Sequence, residues 1–109
     1  MAFKANITID QGTDFSTSID VTDENGDIVD LAGYTGAAQL RKHYTSSTAT
    51  DFTVAITPGS GLVTLSMNAA TTNAISAGRY VYDCELTDDN GTVSRLIEGV
   101  ITVTPGVTR

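Results

Sequence analysis

The sequence has no tryptophan, one cysteine (Cys84), one histidine (His43), two prolines and no long apolar run, and its six Lys and Arg residues are outnumbered by thirteen Asp and Glu. A lone cysteine excludes an internal disulfide and any thiolate metal site assembled from this chain alone. The shortage of positive charge, formal net −7, argues against a phosphate-binding surface, which needs clustered bases. The one basic cluster, Arg41-Lys42-His43, is flanked by apolar Leu40 and Tyr44 and reads as an exposed stretch of strand. Nucleic acid is therefore not an expected partner. Residues 1–10, MAFKANITID, lack the apolar core of a signal peptide, and nowhere do about 18 apolar residues run together, so neither secretion nor a membrane partner is expected. The Asn-x-Thr sequons at Asn6 and Asn90 are then read as incidental to a threonine-rich chain.

Catalytic constellations are missing as well. The sequence has no Gly-x-Ser-x-Gly elbow, no Gly-x-Gly-x-x-Gly, no His-Glu-x-x-His and no Cys-x-x-Cys. A Cys-His pair is arithmetically possible, but alternation points Cys84 inward and His43, of opposite parity to Leu40 and Tyr44, outward. A buried lone cysteine acts as a small hydrophobe. The sequence reading is of a protein that is not an enzyme and takes no cofactor.

What is present is period-two alternation in short segments bounded by Gly, Asn, Asp and Pro, the mark of strands with one face on a core. Phe3, Ile7 and Ile9 alternate with Lys4, Asn6 and Thr8; Phe15, Ile19 and Val21 alternate with Ser16, Ser18 and Asp20. Ile28 to Leu31 reads as a short returning strand. Ala38, Leu40 and Tyr44 share a face, a polar loop spans Ser46 to Thr50, and Phe52-Val54-Ile56 pairs through Thr57-Pro58-Gly59-Ser60-Gly61 with Val63-Leu65-Met67. Residues 68–76 form the one expected helical turn, with Asn68 as N-cap and Ile75 facing the core. Tyr80, Tyr82, Cys84 and Leu86 make the next inward row. The last strand, Thr92 to Thr104, breaks alternation, which calls for a bulge at Glu98-Gly99 or a change of sheet. Length suits one domain with one core, placed at residues 1–105, with 106–109 as a tail.

One hairpin is written twice. Residues 19–31 (IDVTDENGDIVDL) align without gaps on 84–96 (CELTDDNGTVSRL), matching Ile19 with Cys84, Val21 with Leu86, Asn25 with Asn90 and Ile28 with Val93. The alignment fixes Ile19, Val21, Cys84 and Leu86 as an inward set. Asn-Gly at each tip reads as a tight turn in which both residues take positive φ. The acids of these turns are the nearest the sequence comes to a metal site: Asp23, Asn25, Asp27 and Asp30 in the first, Asp88 and Asn90 in the second. A calcium loop of the helix-flanked kind needs glycine at its sixth position and glutamate at its twelfth, and neither falls correctly, so turn formation is the simpler reading and no metal is assigned.

Strand number and turn spacing give an all-β fold, an immunoglobulin-like β-sandwich of seven or eight antiparallel strands. Tyr82-x-Cys84 has the form of a tyrosine corner, with Tyr80 an equal candidate; the tryptophan and second cysteine of antibody domains are missing. Four stretches carry a family resemblance: Ile7-Thr8-Ile9-Asp10-Gln11-Gly12-Thr13-Asp14-Phe15, the Asp23-Glu24-Asn25-Gly26 turn with Leu31, Gly33 and Tyr34, Gly78-Arg79-Tyr80-Val81-Tyr82-Asp83, and Glu98-Gly99-Val100 with Pro105-Gly106. Together they resemble small virion structural proteins of contractile-tailed cyanobacterial phages. More distantly, they are similar to the N-terminal immunoglobulin-like domain of baseplate upper proteins from phages of Gram-positive bacteria. The resemblance implies a non-enzymatic structural protein of the virion, assembled in the host cytoplasm. It would dock in multiple symmetric copies on other phage structural proteins of tail, neck, baseplate or capsid surface. The alternative is a soluble carbohydrate- or calcium-binding β-sandwich module that uses the acidic hairpin ends.

Overall fold

The computed structural model describes residues 3–107. Its strands are β1 (Phe3–Lys4), β2 (Ile7–Asp10), β3 (Phe15–Asp20), β4 (Thr35–Arg41), β5 (Thr50–Asp51), β6 (Thr53–Thr57), β7 (Leu62–Met67), β8 (Gly78–Thr87) and β9 (Val93–Thr104), with a short α-helix, α1 (Ala69–Asn73), and a 3-10 turn at Pro58–Ser60. Two sheets form. The larger has the order β1-β9-β8-β4-β5, with β2 also on β9; the smaller is β3-β7-β6. Ile9, Leu40, Tyr82, Cys84, Leu86, Ile97, Ile101 and Val103 from the first sheet meet Val63, Leu65 and Met67 from the second in a single buried cluster. The inward set expected from the hairpin alignment holds: Cys84 and Leu86 are buried, and Ile19 and Val21 pack on the cluster.

The strands are not all antiparallel. β1 and β2 run parallel to β9, Phe3 opposite Ile97 and Ile7 opposite Ile101, because alternation specifies which face is buried and not the direction of the neighbour. Register is unchanged across the gap between β1 and β2, where the Ala5 N–H donates to the Glu98 carbonyl (3.0 Å) and the Asn6 side-chain oxygen accepts from the Val100 N–H (3.2 Å). Gly99 lies beneath this gap, and a Cβ there would collide with the Ala5 carbonyl. The same carbonyl accepts the Tyr82 hydroxyl at 2.8 Å. Phe3, expected to face inward, is exposed.

The irregularity of the last strand lies earlier than Glu98-Gly99. Cys84 pairs with Ile97 and Glu85 with Arg95, so Leu96 is an extra residue in β9, and Leu96 and Ile97 are both buried. The change of sheet occurs elsewhere, at Phe52: Thr50–Asp51 pairs with β4, while Thr53–Thr57 pairs with β7. Phe52 is buried at this crossing, its N–H donating to the Ala38 carbonyl at 3.0 Å.

Ile28 to Leu31 is not a strand. After one bridge, Thr22 to Ile28, the chain is drawn onto the β6–β7 connection by Val21 N–H to Gly61 O (2.7 Å) and Leu31 N–H to Pro58 O (3.2 Å). Gly61 has φ +58°, and a Cβ would lie 2.8 Å from the Val29 carbonyl. Leu31 is thereby fully buried, which outweighs continued pairing along β3. Tyr44 also departs from expectation: the chain bends after Arg41 and leaves Tyr44 85% exposed. Lys42 and His43 lie in this bend, not in a strand, with the Lys42 ammonium 5.0 Å from the centre of the Tyr80 ring.

The helical turn is held as its sequence requires. Asn68 caps it, accepting from Thr71 N–H at 2.8 Å, Asp14 accepts from Ala69 N–H at 2.7 Å, and Ile75 is buried. Fully buried Thr72 donates to the Thr13 carbonyl (2.7 Å) and accepts from Gly12 N–H (3.1 Å). Gln11 completes the clasp through Ile75 O at 2.8 Å. Of the expected tail, Gly106 N–H donates to Gln11 Oε1 at 3.3 Å and Val107 is exposed; positions 108 and 109 lie outside the described residues.

Gly99→Ala must push β1 and β2 off β9, and a loss of about 3 kcal/mol in folding free energy is expected. Tyr82→Phe removes one hydrogen bond and costs about 1 kcal/mol. Urea denaturation of the two variants checks the order.

Candidate functional site

The acidic turns are the first place to look for chemistry, and the structure builds them alike. In each, the backbone closes from Gly26 N–H to Asp23 O (3.0 Å) or Gly91 N–H to Asp88 O (3.1 Å), and back from Asp23 N–H to Asp27 O (2.8 Å) or Asp88 N–H to Thr92 O (2.9 Å). Only the glycines have positive φ, +82° at Gly26 and +84° at Gly91; Asn25 and Asn90 do not, contrary to the tighter turn expected. A right-handed turn followed by a left-handed glycine is the longer, bulged hairpin loop. Its first residue is aspartate for a local reason. Asp23 Oδ1 accepts from the N–H groups of Asn25 (2.9 Å) and Asp27 (3.0 Å), and Asp88 Oδ1 from Asn90 (2.9 Å) and Thr92 (2.8 Å).

One carboxylate oxygen of Asp23 and one of Asp88 therefore serve the turns themselves. Asn25, Asp27 and Asn90 stand exposed beside them. Among the described residues, no three His, Cys, Asp or Glu side chains are placed to hold a metal ion. The positions following the turns, Ile28 and Val93, are exposed aliphatics at 60% and 58%.

Cys84 and His43 share no surface. The thiol is in the core and His43 is exposed. Burial, then the nearby carboxylates of Asp83 and Glu85, pushes the Cys84 thiol up to about 11, so it stays protonated and unreactive at neutral pH. Tyr82 is pushed up to about 12, chiefly by burial and then by Cys84. The two tyrosines proposed for a corner divide the work: Tyr80 donates to the Ser76 carbonyl four residues upstream at 2.6 Å, whereas Tyr82 crosses to Ala5.

Polar side chains converge on the outer face of the larger sheet, in a shallow groove of about 230 Å³ lined by Gln39, Arg41, Tyr44, Val81, Asp83, Arg95 and Glu98. Asp83 and Glu98 are direct cross-strand neighbours, an arrangement that repels unless neutralised. Arg95 neutralises both, at 3.3 Å from Asp83 and 2.8 Å from Glu98. Arg41 donates to Gln39 Oε1 (3.0 Å) and the Ser46 carbonyl (2.7 Å), and Gln39 donates to Asp51 (2.8 Å). The row is internally paired. Sequence reading missed it, because Arg95 and Glu98 are an odd number of residues apart and belong on opposite faces of a regular strand; the extra residue at Leu96 brings them together. A second shallow groove, about 290 Å³, runs along the open flank between β4 and β6, lined by Gly36, Ala37, Ala38, Gln39, Asp51, Phe52 and Val54.

In comparison with known proteins, no family model matches this chain and no curated protein matches it.

Two measurements check the burial of Cys84 and Tyr82. A thiol-reactive disulfide reagent is expected to leave the native protein unmodified and to label one thiol after denaturation. Both groups hold their protons more tightly when folded: unfolded values of 9.0 and 10.0 become about 11 and about 12. The native state then binds more protons than the unfolded chain over that range, so this contribution is complete below about pH 9 and is lost as pH rises through 11 and 12. Alkaline denaturation is expected there, with an ultraviolet titration showing one phenol that ionises only near pH 12 and disappears in Tyr82→Phe.

Proposed function

We propose that this chain is a non-enzymatic structural protein of a phage virion, an immunoglobulin-like domain that docks on other virion proteins of tail, neck, baseplate or capsid surface. The strand order supports the fold assignment: β3-β7-β6 takes the places of strands B, E and D, and β9-β8-β4 those of G, F and C, with β5 added beside C. Tyr80 bonded to Ser76 near the start of β8 has the position and reach of a tyrosine corner.

The observation that carries the functional reading is where the motif residues of the phage resemblance lie. Gln11, Gly12, Asp14, Tyr80, Tyr82 and Gly99 all hold the framework, by clasping α1, bracing β8 or seating the first strand on the last. None is arranged around a deep cavity. A protein whose distinguishing residues set its frame acts through its surface, and exposed Phe3, Ile28, Tyr44 and Val93 are apolar points on that surface. Its partners on this reading are other phage structural proteins in multiple symmetric copies, not nucleic acid or membrane, and it needs no cofactor.

The competing module reading, for calcium or carbohydrate, rests on the turn carboxylates, and it is the weaker because Asp23 and Asp88 are each engaged by two N–H groups. Mass spectrometry of purified particles tests the first reading; this chain is expected among the virion proteins, and its absence sinks the proposal. Copy number then separates a capsid decoration from a neck or baseplate part. A saturable calcium shift at both turns in NMR spectra, lost in Asp23→Ala with Asp88→Ala, would reverse the ranking.

A further inference from the structure

Each sheet has two edges, and three of the four are guarded. β5 is two residues long, and β1 and β2 are separated by the Ala5-Asn6 gap. β3 is six residues long and forms no backbone hydrogen bond to the described residues on its outer side, but acidic residues stand at both of its ends, Asp14 and Asp20. Its two inward apolar residues meet only in a register centred on Thr17, where Phe15 would face Ile19 of a second copy. That register also sets Asp14 against Asp20, a repulsive cross-strand pair.

β6 lacks every such guard. Thr53-Val54-Ala55-Ile56-Thr57 carries no charge, proline, glycine or bulge, and its outer side is likewise free of backbone hydrogen bonds to the described residues. Uncharged β-branched edges are the ones that recruit another strand. Its side chains are also arranged symmetrically. Turned about a two-fold axis through Ala55, the segment lies antiparallel to itself with Thr53 opposite Thr57, Val54 opposite Ile56 and Ala55 opposite Ala55 of the second copy. Threonines then share the outer face and aliphatics the inner face, the pairings that stabilise antiparallel strands. The axis puts the smallest side chain where two copies approach most closely, and the flanking residues, Phe52 and Pro58, introduce no like charge.

The flank beside β6 provides room for such a partner. Val54 and Ile56 are only half-buried, and the 290 Å³ groove between β4 and β6 is floored by Gly36, Ala37 and Ala38 with Phe52 and Val54 at its wall. Gly36 is fixed by this approach, since a Cβ there would lie 2.7 Å from a Val54 methyl. An added strand would cover the exposed parts of Val54 and Ile56 and partly fill the groove.

We propose that β6 is a homodimerisation edge, at which a second copy of this chain pairs by two-fold antiparallel β-augmentation centred on Ala55, joining the three-stranded sheets into one of six strands. The contact is isologous and closes at two copies. A five-residue edge is short, so the dimer is a weak one that forms with concentration. The proposal does not depend on the virion reading.

Sedimentation equilibrium over a concentration series tests it on the intact chain. The wild type is expected to pass from monomer to dimer. Ala55→Lys, at an exposed position, is expected to remain monomeric with an unchanged circular dichroism spectrum, while Ser18→Lys, on the β3 edge, dimerises as the wild type does. Ala55→Cys is expected to form a covalent dimer on mild oxidation. Thr57→Cys is not, because paired copies of residue 57 stand ~13 Å apart, four residues of strand rise; buried Cys84 does not compete. Wild-type protein that stays monomeric at about 1 mM, loss of the dimer in Ser18→Lys instead of Ala55→Lys, or equal cross-linking at 55 and 57 would each overturn the proposal.

Discussion

The extra residue at Leu96 is the constraint on which the larger sheet depends. A strand that buries one face can keep its alternation only while its pairing is regular, and β9 has twelve residues to place against β8 on one side and β1 and β2 on the other. Inserting Leu96 resets parity once. Before it, Arg95 faces outward; after it, Ile97, Ile101 and Val103 face the core. The reset also lets two consecutive residues, Leu96 and Ile97, enter the core together. On the outer face it joins Arg95 to Glu98 and so neutralises the carboxylate pair across β8 and β9. Three residues after Leu96, the parity it sets turns Gly99 toward Ala5, and the first strand can lie against the last.

Much of this was legible in the residues, for reasons that are local. Cys84 and Leu86 were readable as core because alternation and burial are tied along a strand. Asn68 was readable because an N-cap side chain satisfies the N–H groups of the first helical turn, and Ile75 because it is the one large apolar residue of its segment. Direction and position were not legible. The parallel course of β1 and β2 is a long-range choice that leaves no local trace, and the broken alternation of β9 announces a bulge without saying whether it falls at Leu96 or Gly99. Ile28 to Leu31 reads as a strand because its apolar spacing is right. What overrides it is the carbonyl of Pro58 and the complete burial of Leu31 in the core, both supplied by distant sequence.

The candidate site followed the same rule. The two turns were found by aligning the chain on itself, and the structure reproduces them bond for bond, but their aspartates proved to be part of the turn. An acid at the first position of such a loop is explained by two backbone N–H groups before any ligand is considered. The ion-paired row on the outer face could not be found by spacing at all, because its central contact exists only on a bulged strand.

The parallel seating of the first strand on the last has a mechanical meaning. Tension on the chain before Phe3 and after Thr104 pulls β2 and β9 in opposite senses along their common axis, so the bonds between them are loaded in shear. All four residue pairs from Ile7 with Ile101 to Asp10 with Thr104 must then give way together instead of opening one after another. The Gly99 contact and the Tyr82 hydroxyl lie within the same loaded seam. A domain wired in this way transmits force along its length with its two terminal strands as the bearing element, while the smaller sheet stays outside the load path.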